Sequence, residues 1–341
     1  MNARAWSRDA LFAVAPGLFG LVIGAMVLAL AGDNPFAVYK LMAVEAFGGE
    51  KRIAATLSEA TPLILTGLAT AIAFRASIFN VGVEGSLYLG GILAAFIGFT
   101  AVSLPSPLLI TLALALAALA GAAWALIPAL MRAKLNVDEV VTTLMLNFIA
   151  VSITSWLVNG PLLAPGSANS ATPLIADAAR LPRLLPPSTL HIGLLVALAL
   201  LVLYDLWGRY TALGFETRLF GLNPRFARAV GMDGAGLIIK TMLISGAIGG
   251  LAGGLHALGV VHRFTGGFSP GYGFTGIAVA LLGRNNAFGM LISALIFGAL
   301  ATSGTTIQLF SDIPLEITGI IQGAVMIFAV VRLDAFRGAR R

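Results

Sequence analysis

Residues that could take part in chemistry are concentrated in one short stretch between two apolar segments. The stretch is FNVGVEGSLYLGG, residues 79–91, which follows PLILTGLATAIAFRASI and precedes ILAAFIGF. It combines two aromatic rings, an amide and a carboxylate: Phe79, Tyr88, Asn80 and Glu84. An ionised carboxylate that faces lipid costs about 2.5–3.5 kcal/mol. Glu84 is therefore expected to face the protein interior, a water-filled route or a helix terminus.

Two interpretations of this stretch remain open. In the first, Phe79, Asn80 and Glu84 line a path for a polar solute and offer it hydrogen-bond partners, while Tyr88 can stack on a flat ring. In the second, Glu84 stabilises the N-terminus of its helix or satisfies backbone groups that nearby glycines leave free. The residue types alone do not separate a solute path from a packing element.

Further polar candidates lie in other apolar stretches. Asn147 is an amide inside TTLMLNFIA. Three hydroxyl-bearing residues occur in a glycine-rich stretch: Ser269, Tyr272 and Thr275. Asp138 and Glu139 follow two basic residues at a predicted helix start, where an ion-paired loop is expected.

The composition excludes a soluble enzyme. Of the 341 residues, 58% are hydrophobic and only 11% are charged, with a mean hydropathy of +0.95, whereas soluble proteins have about 25% charged residues. The absence of cysteine removes thiolate chemistry and cysteine-bound metals, and the three histidines lack metal-ligand spacing. The Walker A pattern GxxxxGKS or GxxxxGKT is also absent. We expect an integral membrane protein with no catalytic residues, metal, cofactor or ATPase site of its own.

Apolar segments of about 17–25 residues predict transmembrane helices, because each can cross about 30 Å of hydrocarbon. We predict an all-α membrane protein with about ten transmembrane helices, at residues 11–31, 59–76, 80–100, 107–131, 139–158, 189–207, 236–258, 271–283, 288–306 and 314–331. The eighth is too short to cross alone and glycines crowd its start, so a broken or re-entrant segment near 266–283 is expected. No long soluble stretch interrupts the spans, so residues 1–341 are expected to form a single transmembrane domain.

The distribution of basic residues predicts the orientation. With the N-terminus inside, 14 Lys and Arg residues fall in cytoplasmic segments and 6 fall outside, in agreement with the positive-inside rule. The C-terminus is then also inside. The ten spans divide into five and five of opposite orientation, so the topology predicts an inverted repeat, although no residue-level match between the halves is evident.

Two connecting segments are long enough to carry further functions. Residues 159–188 are expected to form the largest extracytoplasmic loop, and residues 208–235 a basic cytoplasmic loop. Within the second, Asn223 suits an N-cap, Pro224 the first helical position and Gly231 a helix stop, which predicts a short amphipathic helix. Such a helix suits the docking of another protein, and a solvated connecting loop is the alternative.

The seventh predicted span has two glycine stripes at four-residue spacing. Gly246, Gly250 and Gly254 form one stripe, and Gly249 and Gly253 form the other. Small residues at this spacing allow helix backbones to approach closely in a membrane. We expect this span to pack closely against neighbouring helices.

Four motifs in consistent order carry a resemblance to a known family. They are FNVGVEGSLYLGG, NVDEVVTTLMLNFIA, GLNPRFARAVGMD and GGLAGGLHALGVVHRFTGGFSPGYGFTGIAVALLGRNN, and the resemblance covers about residues 33–331. The chain resembles the permease subunits of ABC importers, in the nucleoside and simple-sugar branch that is related to ribose and branched-chain amino acid permeases. It departs from the expected pattern at Ser86, where a glutamine is expected after the Glu-Gly pair. This difference is a candidate determinant of substrate choice.

The resemblance implies a division of labour among subunits. The chain would pair with a second permease, as a heterodimer, in a bacterial cell (inner) membrane. Separate cytoplasmic ATP-binding subunits would drive import by alternating access, and an extracytoplasmic binding protein would deliver a small-molecule substrate, without nucleic acid. The candidates for the translocation path are Phe79, Asn80, Glu84, Tyr88, Asn147, Ser269, Tyr272 and Thr275. The candidates for ATPase coupling are Glu216, Arg218, Asn223, Pro224, Arg225, Arg228 and Gly231.

The substrate and the energy source have alternatives. A nucleoside is favoured, and a simple sugar such as ribose or a branched-chain amino acid remain alternatives within the class. The amino acid is disfavoured because it needs a charged partner at each end, and few charges are buried. An ion-coupled secondary transporter would need an acidic residue in its core, and only Glu84 qualifies from the sequence. An intramembrane enzyme is excluded by the lack of a recognisable catalytic set.

Overall fold

The protein is a bundle of α-helices. The computed structural model describes residues 19–30, 32–310, 319–324 and 327. Its helices are α1 (Phe19–Leu30), α2 (Pro35–Phe47), α3 (Glu50–Arg75), α4 (Val83–Thr100), α5 (Ser106–Leu135), α6 (Glu139–Asn159), α7 (Gly193–Tyr210), α8 (Ala212–Leu222), α9 (Pro224–Ala229), α10 (Gly234–His256), α11 (Tyr272–Leu282) and α12 (Ala287–Phe310). A 3₁₀ turn at Asp177–Ala179 and a π-helical turn at Ala257–Val261 add to these. The described ranges contain no β-strand, which confirms the all-α prediction for them.

Seven helices are long and apolar enough to cross a membrane: α3, α4, α5, α6, α7, α10 with its π-helical end, and α12. The apolar helices α1 and α11 are shorter. These nine helices fall in nine of the ten predicted segments. The tenth segment, residues 314–331, and the first part of segment 11–31 lie largely outside the described residues, so the count of ten spans stays a prediction.

The largest differences from prediction lie near the N-terminus. α3 begins at Glu50 instead of residue 59, because Lys51 and Arg52 are good helix formers that extend the helix beyond its apolar part. α2 was not predicted; Asn34 caps it by accepting a hydrogen bond from the Phe36 N–H at 3.0 Å. The other described boundaries of the predicted spans lie within four residues of their predicted positions.

Close helix packing at glycine holds α4, α5 and α10 together. A Cβ atom on Gly250 of α10 would collide with the Ala117 carbonyl of α5, and one on Gly90 of α4 would collide with the Gly250 backbone. A Cβ atom on Gly253 would collide with the Leu87 carbonyl. These contacts confirm the predicted packing role of the glycine stripes.

Two breaks interrupt helices inside the bundle. The first break, residues 76–82, joins α3 to α4, and the second break, residues 262–271, joins the π-helical end of α10 to α11. α10 with that end is 28 residues long, which is about 42 Å at about 1.5 Å per residue. In the first break, Asn80 Nδ2 donates to Ser245 Oγ at 2.9 Å, and Ser245 lies about 16 Å along α10 from Gly234. The first break therefore reaches far into the bundle.

The start of α11 also lies inside the bundle. The Gly273 N–H contacts Glu84 in the first turn of α4, and the Tyr272 hydroxyl contacts Glu59, about 14 Å from the start of α3. Helix α11 has 11 residues, too few to cross about 30 Å of hydrocarbon. Both α4 and α11 thus begin where the surrounding backbone must find hydrogen-bond partners within the protein.

Candidate functional site

One face of α6 holds the first break in place. Its three polar residues recur every four positions and are buried: Glu139, Thr143 and Asn147. Glu139 Oε1 accepts a hydrogen bond from the Phe79 N–H at 3.3 Å, and Thr143 Oγ1 accepts one from the Val81 N–H at 3.3 Å. Glu139 Oε2 also pairs with Arg132 Nε at 3.0 Å, which confirms the predicted ion pair at this helix start. The α6 face therefore satisfies backbone groups that lie outside any helix.

Two buried amides complete the hydrogen bonding of the first break. Asn147 Oδ1 accepts from the Gly85 N–H at 2.8 Å, and its Nδ2 donates to the Val81 carbonyl at 2.9 Å. Asn80 is 1% exposed, and its Oδ1 accepts from the Gly82 N–H at 2.9 Å. Asn80 and Asn147, both candidates for a solute path, are thus used to hold backbone.

Glu84 caps α11. Its side chain is 4% exposed, and Oε2 accepts a hydrogen bond from the Gly273 N–H at 2.5 Å. A Cβ atom on Gly273 would lie 2.7 Å from Glu84 Oε2, so the close approach requires glycine. The carboxylate lies in the first turn of α4 and at the N-terminus of α11, where the helix dipoles favour negative charge. A helix terminus was one of the predicted environments, but the helix that Glu84 caps is α11 instead of its own.

A second carboxylate lies at the same helix end and was not predicted. The Tyr272 hydroxyl donates to Glu59 Oε2 at 2.8 Å. Tyr272 is buried, whereas Glu59 is only partly buried. Within the described residues, neither Glu59 nor Glu84 forms an ion pair. Hydropathy placed Glu59 at the edge of a span, and its inner position follows only from the start of α3 at Glu50.

Aromatic rings surround the second break. Phe264 and Phe268 stack with ring centroids 4.4 Å apart, and Tyr88 packs edge-on against them at 6.0 and 6.1 Å. The Tyr88 hydroxyl lies 3.4 Å from both the nitrogen and the carbonyl oxygen of Ser269. Ser269 Oγ accepts from the Tyr272 N–H at 3.0 Å. Three predicted path residues, Tyr88, Ser269 and Tyr272, are therefore brought together.

The backbone of the second break pairs with the loop of residues 159–188. The Phe264 N–H donates to Thr172 Oγ1 at 3.0 Å, and the Thr172 N–H donates to the Phe264 carbonyl at 2.9 Å. The Gly266 N–H donates to the Ser170 carbonyl at 2.7 Å. This loop thus covers the second break.

His256 adds an unused polar atom to the cluster. The side chain is 7% exposed, and its ring packs edge-on against Phe268 and Tyr272, with centroids 5.2 Å away in each case. Its Nδ1 has no hydrogen-bond partner among the described residues. A packing role accounts for the position of the ring. It does not account for the nitrogen, because buried polar atoms nearly always have partners.

The remaining candidates lie at the margins of the cluster. Thr275 is partly buried in the first turn of α11. Phe79 is 40% exposed and stacks on Phe74, with centroids 4.8 Å apart. Ser86 Oγ donates to the Gly121 carbonyl at 3.2 Å, so it packs α4 against α5. The departure from the family pattern at Ser86 therefore lies in a helix contact.

Residues 208–235 contain two helices instead of the single one predicted. α9 is the predicted helix: Asn223 Oδ1 accepts from the N–H groups of Arg225 and Phe226 at 3.1 and 3.0 Å. Gly231 has φ +85° just beyond its end, a conformation that favours glycine. α8 precedes it, in a stretch for which the sequence predicts only a basic loop.

The surface of α8 and α9 is both basic and apolar. Its exposed side chains are Phe215, Arg218, Leu222, Arg225, Phe226, Arg228 and Val230. Glu216 is partly buried. Exposed aromatic and arginine side chains are typical of protein interfaces. The charged members of this surface were predicted from the sequence and the apolar ones were not, because hydropathy alone does not show which apolar residues are exposed.

α8 is fixed to the end of α3 and to the first break. Ser77 Oγ donates to the Gly221 carbonyl at 2.7 Å, and a Cβ atom on Gly221 would collide with the Arg75 carbonyl. The Arg75 guanidinium lies 4.4 Å from the ring centroid of Tyr204 and 5.8 Å from that of Trp207. The α8–α9 surface and the first break are thus parts of one packed unit.

Comparison with known families identifies the class of the protein. The family described as "Branched-chain amino acid transport system / permease component" matches residues 52–330, which include both breaks and helices α8 and α9. The chain belongs to this permease family. The expectation drawn from the four motifs is thereby confirmed, and the seven membrane-length helices make the permease a multi-pass membrane protein.

Several curated relatives resemble the permease over most of its length. The glucose ABC transporter permease protein of Haloferax volcanii is 36% identical over 323 residues, covering 92% of this chain and 85% of the relative. The guanosine ABC transporter permease protein of Bacillus subtilis is 35% identical, with 91% and 90% covered. A nucleoside ABC transporter permease protein of Lactococcus lactis is 32% identical, with 92% and 89% covered.

The relatives from three organisms occur in pairs, and a second, putative glucose permease protein of H. volcanii is 26% identical to this chain. B. subtilis has a second guanosine ABC transporter permease protein that is 29% identical to this chain, and L. lactis has a second nucleoside permease protein that is 27% identical. No solved structure gives a significant match to the permease.

A buried histidine precedes α7 next to the second break of the permease. His191 is 2% exposed, its Nδ1 accepts from the Gly193 N–H at 3.1 Å, and its ring packs against Gly259 in the π-helical turn. Burial, and secondarily the nearby His262, lower the pKa of His191 from 6.5 to about 4. The neutral imidazole is therefore the form that the folded protein accommodates.

Proposed function

We propose that the permease is the membrane subunit of an ABC importer that moves a nucleoside by alternating access. The observation that carries the proposal is the meeting of the two breaks at Glu84. If α1 and α3 are the first two transmembrane segments, α4 is the third and α11 the eighth, which is the third of the second five. Interrupted segments at corresponding positions of two halves point to the binding site of a transporter.

The same correspondence supports ten spans with both termini in the cytoplasm and a five-plus-five inverted repeat. In that topology the first break enters the bundle from the cytoplasmic side and the second from the outside. Residues 1–341 form a single transmembrane domain, with 208–235 as the cytoplasmic coupling segment and 159–188 as the extracytoplasmic loop. The protein resides in the inner membrane of a bacterial cell.

The groups at the start of α11 suit a neutral, hydroxyl-bearing solute. Two carboxylates accept hydrogen bonds there, aromatic rings surround them, and no described cation pairs with either. A branched-chain amino acid would need a cation for its carboxylate. The guanosine and nucleoside relatives favour a nucleoside, and the glucose relative makes a simple sugar the second candidate.

In this proposal import is driven by ATP hydrolysis in a pair of separate subunits, because the chain itself lacks a Walker A motif. The exposed basic and apolar surface of α8 and α9 suits their docking. Replacing Arg225 and Arg228 together with Glu is expected to abolish ATP-driven uptake while the permease still reaches the membrane. Normal uptake by this double variant would contradict docking at α9.

The other partners are a second permease subunit and an extracytoplasmic binding protein. The paired permeases of B. subtilis and L. lactis support a heterodimer. Co-purification of this chain with a differently tagged copy of itself and with the second permease encoded beside it distinguishes the two arrangements. Recovery of the tagged copy without the second permease would contradict the heterodimer.

An ion-coupled transporter is the competing class, and Glu59 with Glu84 gives it two acidic residues inside the bundle. Uptake of radiolabelled guanosine, ribose and leucine is to be measured in cells that express the complete transporter, with the ATPase partner intact or inactivated. The proposal predicts guanosine uptake that stops when the ATPase is inactivated. Uptake that survives this change and collapses with the ion gradient would contradict it.

A further inference from the structure

Glu59 is a carboxylate with unused hydrogen-bonding capacity inside a membrane-length helix. An ionised carboxylate has about four acceptor sites. Within the described residues, Glu59 receives one side-chain hydrogen bond, from Tyr272 at 2.8 Å, and no ion pair. It is also partly exposed, unlike Glu84. Glu84 uses its carboxylate to cap α11, whereas Glu59 accepts no hydrogen bond from the backbone of a described residue.

A second unused group contacts the same tyrosine. His256 is 7% exposed, its ring packs edge-on against Tyr272 at 5.2 Å, and Nδ1 has no partner in the described ranges. Two independent features therefore occur around Tyr272: a carboxylate with free acceptor sites and a buried imidazole nitrogen without a bond. The unpaired nitrogen is costly because it is buried, and the partly exposed carboxylate has acceptor sites that a ligand can reach.

We propose that Glu59, oriented by Tyr272, recognises the sugar hydroxyls of the transported nucleoside. This inference rests on the proposed function and specifies which part of the solute is recognised. A carboxylate only accepts hydrogen bonds, so it selects donors. The ribose of a nucleoside presents two neighbouring hydroxyl donors, and hydrogen bonds to an ionised acceptor are stronger than neutral ones. The His256 ring, whose centroid lies 5.2 Å from that of Tyr272, carries a second polar atom, Nδ1, beside the same tyrosine.

The test uses the assembled transporter with its ATPases and binding protein, reconstituted in liposomes. Guanosine uptake and ATP hydrolysis are measured together at solute concentrations that saturate the binding protein. Glu59→Gln keeps the size of the side chain and removes the charge. It is expected to lower guanosine uptake at least about tenfold, the equivalent of about 1.4 kcal/mol, while binding-protein-stimulated ATP hydrolysis stays within about twofold.

Two further variants separate recognition from folding. Tyr272→Phe removes the hydroxyl that orients Glu59, and a smaller loss of uptake in the same direction is expected. Glu45→Gln is the matched control, because Glu45 is a carboxylate in α2 that is paired with Arg52 at 2.7 Å, away from the breaks. It is expected to leave uptake and ATP hydrolysis unchanged.

The outcomes distinguish this inference from the proposed function. Unchanged guanosine uptake by Glu59→Gln, or a parallel fall of uptake and ATP hydrolysis, would overturn recognition by Glu59 and leave nucleoside transport intact. Absence of nucleoside uptake by the unmodified transporter would overturn the proposed function itself. Loss of uptake with retained ATP hydrolysis supports recognition, because folding and ATPase docking are then preserved.

Discussion

The first and second breaks both bring irregular backbone into an apolar bundle, but they satisfy it differently. In the first break, Thr143, Asn147 and Asn80 are buried and hydrogen-bond backbone groups, and the Asn80 Nδ2 also donates to Ser245 Oγ on α10. The second break is held by aromatic stacking and by the loop of residues 159–188, and within the described part of the chain acceptor sites on Glu59 and a nitrogen of His256 have no partner. The side-chain hydrogen bonds to backbone indicate a structural role for the three first-break residues, whereas the unpaired His256 nitrogen calls for a partner outside the described residues.

The largest effect is expected from Asn147→Leu in the first break. It leaves the Val81 carbonyl and the Gly85 N–H without partners, and each such group costs about 1–3 kcal/mol, or about 2–6 kcal/mol together. Thermal unfolding of the purified protein in detergent should show a strong loss of stability. The control is Asn159→Leu at the exposed end of α6, where a small effect is expected. Equal stability of the two variants would contradict the structural role of the first break.

Glu84 connects the two breaks, and its variants should have an intermediate effect. Glu84→Ala leaves the Gly273 N–H at the start of α11 unsatisfied, at a cost of about 1–3 kcal/mol. Glu84→Gln retains an acceptor oxygen and should cost less than about 1 kcal/mol. The melting temperatures of both variants test this order. If Gln destabilises as much as Ala, the charge of Glu84 matters more than its capping bond.

The stability of the folded permease should fall in acid because of His191, which lies beside the second break. Its pKa is about 4 when folded, below the ordinary value of 6.5, so the unfolded chain takes up the proton first and stability falls as the pH drops from about 6.5 towards 4. The loss at pH 5 is about 2 kcal/mol. His191→Asn keeps an acceptor for the Gly193 N–H and cannot titrate there. A smaller pH dependence of unfolding in this variant is predicted, and an unchanged one would exclude His191 as the cause.

The smallest effect is expected from Tyr88→Phe at the second break. The Tyr88 hydroxyl lies 3.4 Å from its two Ser269 partners, so these hydrogen bonds are weak. The ring contacts with Phe264 and Phe268 are retained. A loss of less than about 1 kcal/mol is predicted from the denaturation midpoint. A large loss would show that the second break also depends on saturated hydrogen bonds.

Much of the fold follows from the sequence because hydropathy and helix length are local properties. The seven membrane-length helices were predicted in this way, and the glycine contacts of α10 and the Asn223 cap of α9 were predicted from residue spacing and residue type. Glu59 was not, because its depth depends on where α3 begins, and polar helix formers extend that helix outward. The capping of α11 by Glu84 and the unpaired nitrogen of His256 depend on contacts between distant segments, which a single sequence does not reveal.

The central claim is that the first break is a structural element and that solute binds beside the second. Its most direct test is the uptake measured per amount of folded protein. Guanosine uptake and the amount of folded permease are to be measured for Asn80→Ala and Asn147→Leu in the first break, and for Glu59→Gln and Tyr272→Phe beside the second. Variants of the first break should lose uptake only in proportion to folded protein. Variants beside the second break should stay folded and lose uptake. The reverse pattern would contradict the assignment of solute binding to the second break.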